Sequence, residues 1–216
     1  MNNKQNTKNG FTLAEVLITL VIIGVVAALT IPAMMANHRK EATASKLKKF
    51  FTTMTQAKNL WAQEAGMNQN DIYFPDDAVS NGEKTLEFFN TYLAKHLSLI
   101  KAETFGDSKI RVYLNDGSCF ISMIGSNRYM YYFYFTDASK CTEVKYDGKT
   151  SFLFQMNRIG FVPSHNPSID YTRSQLHEYC NNPQSSGSGD ATHRHMCTRL
   201  IQVDGWRIKD DYPVRI

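Results

Sequence analysis

The sequence predicts an α+β chain: one long N-terminal helix, apolar all round in its first half, packed on an antiparallel β-sheet domain. Three observations predict it. Residues 11–36 contain a single charge, Glu15, in an otherwise apolar run. Apolar residues then continue at helical spacing to about residue 65. Beyond that, short alternating apolar runs are separated by Asn, Asp and Gly turn signals, with 13 Phe and 11 Tyr favouring a packed sheet.

Residues 1–10, MNNKQNTKNG, are polar and basic and end in Gly10. The run 11–36 is long enough to cross a bilayer as a helix. Pro32 near its end removes an N–H, frees the carbonyl of Ala28 and is expected to kink a continuing helix. In 37–66 the residues Leu47, Phe50, Phe51, Met54, Ala57, Leu60 and Trp61 form one stripe, with Arg39, Lys40, Lys46, Lys48, Lys58 and Gln63 mostly between them. Gly66 supplies the stop. A helix over 12–65 would be roughly 80 Å long, its stripe packing on the domain of residues 67–216.

In that domain 67–81 reads as a loop and 85–100 as a second amphipathic helix with Leu86, Phe89, Leu93, Leu97 and Ile100 on its stripe. Strands are expected at 110–114, 119–124, 128–135 and 151–156, the first two joined by an Asn115-Asp116-Gly117 turn. Residues 163–197, rich in Pro, Ser, Asn, Gly and His, read as a long surface loop. A short strand is expected at 200–203, and no internal repeat is present.

The formal net charge is +4 and falls to +2 without Lys4 and Lys8, which is no electrostatic footprint for nucleic acid or an acidic membrane surface. Cys119, Cys141, Cys180 and Cys197 all follow the apolar run. In an exported domain they form two disulfides, with three connectivities open. Sequential pairing closes the shortest loops, each stabilising by about 3 kcal/mol in the chain-entropy account.

Glu15 needs an explanation. A carboxylate inside a spanning helix costs about 2.5–3.5 kcal/mol on insertion scales. An ordinary secretory signal with cleavage near Ala27-Ala28 gives it no role, and helical periodicity continues past such a site. A plain single-pass anchor leaves it unexplained as well.

Gly10 followed by FTLAEVLITLVIIGVVAALTIP resembles the prepilin signature of type IV pilins and type II secretion pseudopilins: a short basic leader ending in glycine, then Phe11, Glu15 as the fifth residue after it, a long apolar stretch, and Pro32. The resemblance implies a pilin-like fold and a leader at 1–10. It also implies cleavage between Gly10 and Phe11 by a membrane prepilin peptidase, and N-methylation of Phe11. It assigns 11–36 to the transmembrane and assembly half of the helix and 37–66 to its amphipathic half. Glu15 of an incoming subunit would pair with the Phe11 amine of its neighbour, burying both charges and fixing axial register. An intramolecular contact between Phe11 and Glu15 is the alternative. Pro32 would mark where the helix melts in filaments.

The implied partners are other pilin or pseudopilin subunits, the prepilin peptidase, the inner-membrane assembly platform and, before assembly, membrane lipid. The implied location is a single-pass inner membrane protein with its domain outside the cytoplasm, then a periplasmic pseudopilus or surface pilus. One count opposes this topology: Arg39, Lys40, Lys46, Lys48 and Lys49 after the span outnumber Lys4 and Lys8 before it.

By the same resemblance, Cys180 and Cys197 bound a loop like the disulfide-enclosed variable region of pilins. Cys180, His193, His195 and Cys197 are a zinc-compatible set, but their spacing is unusual for a structural site and pairing of the cysteines is favoured. Some major pseudopilins bind calcium; Asp137, Asp147, Asp210 and Asp211 lack the ligand spacing calcium wants. No metal and no cofactor are expected. No nucleophile elbow, zinc-protease motif or phosphate loop is present, and His96 reads as an ordinary helix residue, so an enzyme is not expected. The functional alternative is a minor subunit whose 163–197 loop forms an adhesive or DNA-binding tip.

Overall fold

The computed structural model describes residues 10–68, 74–127, 129–158, 160–166, 168–182, 194 and 196–216. The first helix, α1, runs from Leu13 to Glu64, and the chain divides into two compact units, up to Arg39 and Lys40–Ile216. In the first unit α1 continues unbroken through Pro32. No large apolar side chain between Leu13 and Met35 is buried.

The second unit is α+β. After the rest of α1 come α2 (Gly82–Tyr92), β1 (Leu99–Thr104), β2 (Ile110–Leu114), β3 (Cys119–Ile124), β4 (Met130–Phe135), β5 (Ser151–Met156), β6 (Phe161–Pro163), α3 (Arg173–Asn181) and α4 (Cys197–Val203). The six strands form one antiparallel meander in sequence order. This is the α+β architecture expected, consistent with a pilin-like fold, and β1 and β6 are strands that the sequence reading did not expect.

The stripe of α1 fills the core as expected: Leu47, Phe50, Met54, Ala57 and Trp61 are buried, and the Phe50 ring stacks on Tyr134 at 4.2 Å between centroids. Leu60, assigned to the stripe, is instead exposed, and Lys58 is buried. Alternation along the strands sends Ile110, Val112, Phe120, Tyr132, Tyr134, Phe152 and Phe154 into the core that holds the buried stripe of α1. The opposite face is buried as well: Cys119, Ile121, Phe133, Phe135 and Leu153 form a second cluster with Cys141 and Tyr146. Two covered faces explain why these strands read as nearly continuous apolar runs.

Four expectations are corrected. The helix expected over 85–100 ends at Tyr92, and Ile100 lies exposed on β1. Leu99 and Ile100 belong to a segment that pairs with β2, with a register irregularity between Leu99 and Lys101, so sheet pairing overrides the helical spacing there. Within 163–197, expected as loop, α3 forms. Its capping box is Thr172–Gln175: the hydroxyl accepts from the Gln175 N–H and the Gln175 side chain accepts from the Thr172 N–H. The strand expected at 200–203 is the last part of α4. That helix ends in a paired turn, Gly205 N–H to Gln202 O and Trp206 N–H to Ile201 O, with Gly205 at φ 73°. The third expected strand begins at Met130; Arg128 lies outside the described residues.

The structure pairs Cys119 with Cys141 and Cys180 with Cys197, at separations of 22 and 17 residues. The first bond ties β3 to the segment covering the outer sheet face. The second joins α3 to α4 beside the turn into β5, where a Cβ on Gly148 would stand 2.6 Å from the Cys197 sulfur. The Tyr212 hydroxyl donates to Gly148 O at 2.6 Å, drawing the C-terminal segment onto the same turn.

Candidate functional site

The site singled out by sequence is the head of α1. Gly10 and Phe11 are exposed, Phe11 at 91 %. Thr12 begins the helix, since its carbonyl accepts from Val16 N–H at 3.2 Å, the first intrahelical bond. Its hydroxyl accepts from Glu15 N–H at 3.2 Å. In return, Glu15 Oε2 accepts from both the Thr12 N–H and the Thr12 hydroxyl, each at 2.8 Å. This is a reciprocal capping box, Thr-x-x-Glu, which satisfies backbone donors at the helix start and places an anion at the positive end of the helix dipole.

Glu15 therefore has a partner within its own chain. That partner is Thr12, a residue the sequence reading passed over; the four-residue spelling T-L-A-E is the signal that would have found it. Oε2 takes both donors, and Oε1 has no bond among the described residues. The carboxylate thus caps its helix with one oxygen and presents the other.

Behind this head the helix is apolar on every side. Val16, Leu17, Leu20, Val21, Ile23, Val26 and Leu29 are exposed, although they cannot share one face. Length and composition suffice to cross a membrane. The hydroxyls in this stretch are internally satisfied: Thr19 donates to Val16 O and Thr30 to Val26 O, both at 2.9 Å. Pro32 lies within the helix and cannot donate to the Ala28 carbonyl.

The other candidate groups are separated. Cys180 and Cys197 are bonded to each other, so they are not thiolate ligands in this state; His193 and His195 lie outside the described residues. Asp147 accepts from the N–H groups of Lys149, Thr150 and Ser151, whereas Asp137 accepts from Ser139 N–H. Asp210 pairs with Lys40 and Asp211 with Arg173. No group of three or more potential metal ligands occurs among the described residues. The imidazole of His96 is nine-tenths buried, 3.6 Å from Glu64.

Arg173 is the hub of a charged cluster that sequence did not reveal. Its guanidinium makes two bonds to Asp204, at 2.7 and 2.9 Å, and two to Asp211, at 2.8 and 2.9 Å. Lys209 adds a contact to Asp204 at 2.7 Å. Burial alone would raise the Asp204 carboxyl, but the bonds from Arg173 and Lys209 outweigh it and hold it below the ordinary carboxylate range. The bond from Arg173 lowers Asp211 likewise.

Two family models match the chain. The prokaryotic N-terminal methylation motif covers residues 5–31, and a family described as "Family of unknown function (DUF6613)" covers 33–216. No curated protein and no solved structure matches. The first match is the type IV pilin and pseudopilin signature, and it spans Gly10, Phe11, Thr12 and Glu15. The chain belongs to the DUF6613 family, and it carries at its head the N-terminal methylation signature of type IV pilins and pseudopilins.

Proposed function

We propose that the chain is a structural subunit of a type IV pilus or type II secretion pseudopilus. A prepilin peptidase cuts between Gly10 and Phe11 and the new amine is methylated. The subunit is stored in the inner membrane through residues 11–36, with its domain outside the cytoplasm, and the assembly platform adds it to the filament through α1. The observation that carries this reading is the head of α1. An exposed cut position is followed by a carboxylate that caps its own helix and keeps one oxygen open, on a helix whose whole circumference is apolar.

Cleavage turns the Phe11 nitrogen into a cationic amine, and methylation keeps the charge. On this reading Oε1 of Glu15 receives the Phe11 amine of a neighbouring subunit while Oε2 remains on Thr12. Capping and subunit pairing then do not compete for the same oxygen. In a water-free filament core the pair neutralises two charges, and either alone would be strongly unfavourable.

Intact mass and N-terminal analysis after co-expression with a prepilin peptidase tests the reading. A chain starting at methylated Phe11 supports it; an uncut chain, or one cut near Ala28, overturns it. Recovery in sheared surface fractions distinguishes a pilus from an envelope-retained pseudopilus.

A further inference from the structure

We propose that a small cavity beside α1, walled by Thr53, Ser98 and Asn115, binds one neutral pyranose ring. The cavity lies wholly within the second unit, so the inference is independent of the readings of cleavage, membrane storage and assembly.

Three stretches distant in sequence meet there. α1 contributes Lys49 and Thr53, the segment before β1 contributes Ser98, and the turn between β2 and β3 contributes Asn115 and Asp116. Lys49 and Thr53 are four residues apart and share one helix face. The cavity measures about 170 Å³, below the roughly 300–1,000 Å³ of pockets for drug-sized ligands. It has room for one ring and not for a lipid chain or a peptide segment. Its polar wall is held in place by its own bonds. Asn115 N–H donates to Ser98 O at 3.1 Å, Gly117 N–H to Leu114 O at 3.2 Å and Leu114 N–H to Ser118 O at 2.9 Å. Asp116 accepts from Ser118 N–H at 3.1 Å and from Lys49 at 2.9 Å. A wall fixed in this way spares a ligand the cost of ordering it.

The lining selects the class of ligand. Phe50, Leu97, Leu114 and Tyr134 give it apolar surface. Beside them, the hydroxyls of Thr53 and Ser98 and the amide of Asn115 make no hydrogen bond among the described residues. Ser98 and Asn115 are exposed and Thr53 is half-buried. Each hydroxyl can both donate and accept, and the amide offers two donors and an acceptor. A wholly apolar ring would take these groups out of water and leave them unpaired.

The charges in the lining are already matched. Lys49 and Asp116 bond to each other. Burial alone would raise the Asp116 carboxyl, but bonds from Ser118 and Lys49 outweigh it and hold it below the ordinary carboxylate range. His96 also lines the cavity, and its Nε2 lies 3.6 Å from the Glu64 carboxylate, a counter-charge of its own. A charged ligand therefore meets no free counter-ion. The ligand that fits is small, neutral and cyclic, with an apolar face of C–H bonds and a rim of groups that donate and accept. A pyranose has that form.

The test uses the full chain in phosphatidylcholine nanodiscs, since sugar-headed detergents would compete. Glucose, galactose, mannose and N-acetylglucosamine, each also as its methyl glycoside, are titrated by saturation-transfer difference NMR, with phenol and phenylalanine as controls. Saturable binding of at least one pyranose in the millimolar range is expected, tighter than either control. A methyl glycoside that binds like its free sugar assigns the site to the end of a glycan; one that is excluded assigns it to the free sugar. Thr53→Val and Asn115→Ala are each expected to weaken binding about fivefold. Ser98→Trp, which fills the mouth, is expected to abolish it. Matched thermal unfolding of the variants verifies the fold. Three results overturn the proposal: no saturable binding of any pyranose, a control that binds as tightly as the best pyranose, or binding unchanged in the Thr53→Val, Asn115→Ala double variant.

Discussion

At the scale of single residues, Glu15 combines two roles that different substitutions separate. Glu15→Gln keeps an acceptor for Thr12 and removes the charge; Glu15→Ala removes both. On the proposed mechanism both variants insert and are cleaved, and both are depleted from sheared or cross-linked filaments. Only Glu15→Ala, and independently Thr12→Ala, also loses the helix cap, worth about 1 kcal/mol. Amide exchange over the first turn of α1 in detergent measures that loss. Normal incorporation of Glu15→Gln would show that the charge is not what assembly reads. The charge itself was legible in the sequence because it stands alone among apolar residues. Its bond to Thr12 was not read, because attention to an isolated charge looks for an opposite charge rather than for a hydroxyl three residues back.

At the scale of elements, the misread segments share a cause. The start of α3 is announced by Thr172 and Gln175, and the end of α4 by Gly205, yet composition and β-branched content argued for loop and strand. The long stripe of α1 and strands β2, β3 and β5 were legible because their periodicity is strong. Strand β1 was hidden because Lys101, Ala102 and Glu103 favour helix locally and only the hairpin partner decides otherwise. The pairing of α3 with α4 rests on groups far apart in sequence, so it carries its own predictions. Asp204 and Asp211 have lowered carboxyl pKa values in the folded state. Their contribution is therefore present above the unfolded carboxylate pKa, near 3.9, and is lost as pH falls through the lower folded values. Asp204→Asn should cost about 2–3 kcal/mol at neutral pH, with the difference from wild type shrinking below about pH 4, as read by urea unfolding across pH. Replacing Cys180 and Cys197 together by serine should cost about 3 kcal/mol by the same assay.

At the scale of the whole molecule, the count of bases flanking the span opposes the proposed topology, and the fold accounts for much of that count. Lys40 is engaged by Asp210, Lys49 by Asp116 and Lys46 by the carbonyl of Thr136, so three of these bases serve the folded domain. Protease treatment of spheroplasts is expected to digest the domain; a protected domain would place it in the cytoplasm and overturn the export reading. The meander has a consequence for how this protein comes into being. Each strand from β2 to β6 bonds to the one made just before it, so each newly delivered strand finds its neighbour already waiting. The sheet can be laid down row by row as the chain arrives from its N-terminus, with little need for distant segments to search for one another. The last residues delivered include Cys197, Asp204 and Tyr212, which close onto Cys180, Arg173 and Gly148. A chain broken off before them would have its sheet but not its fastening, so truncation near the C-terminus is where quality control would find its clearest mark.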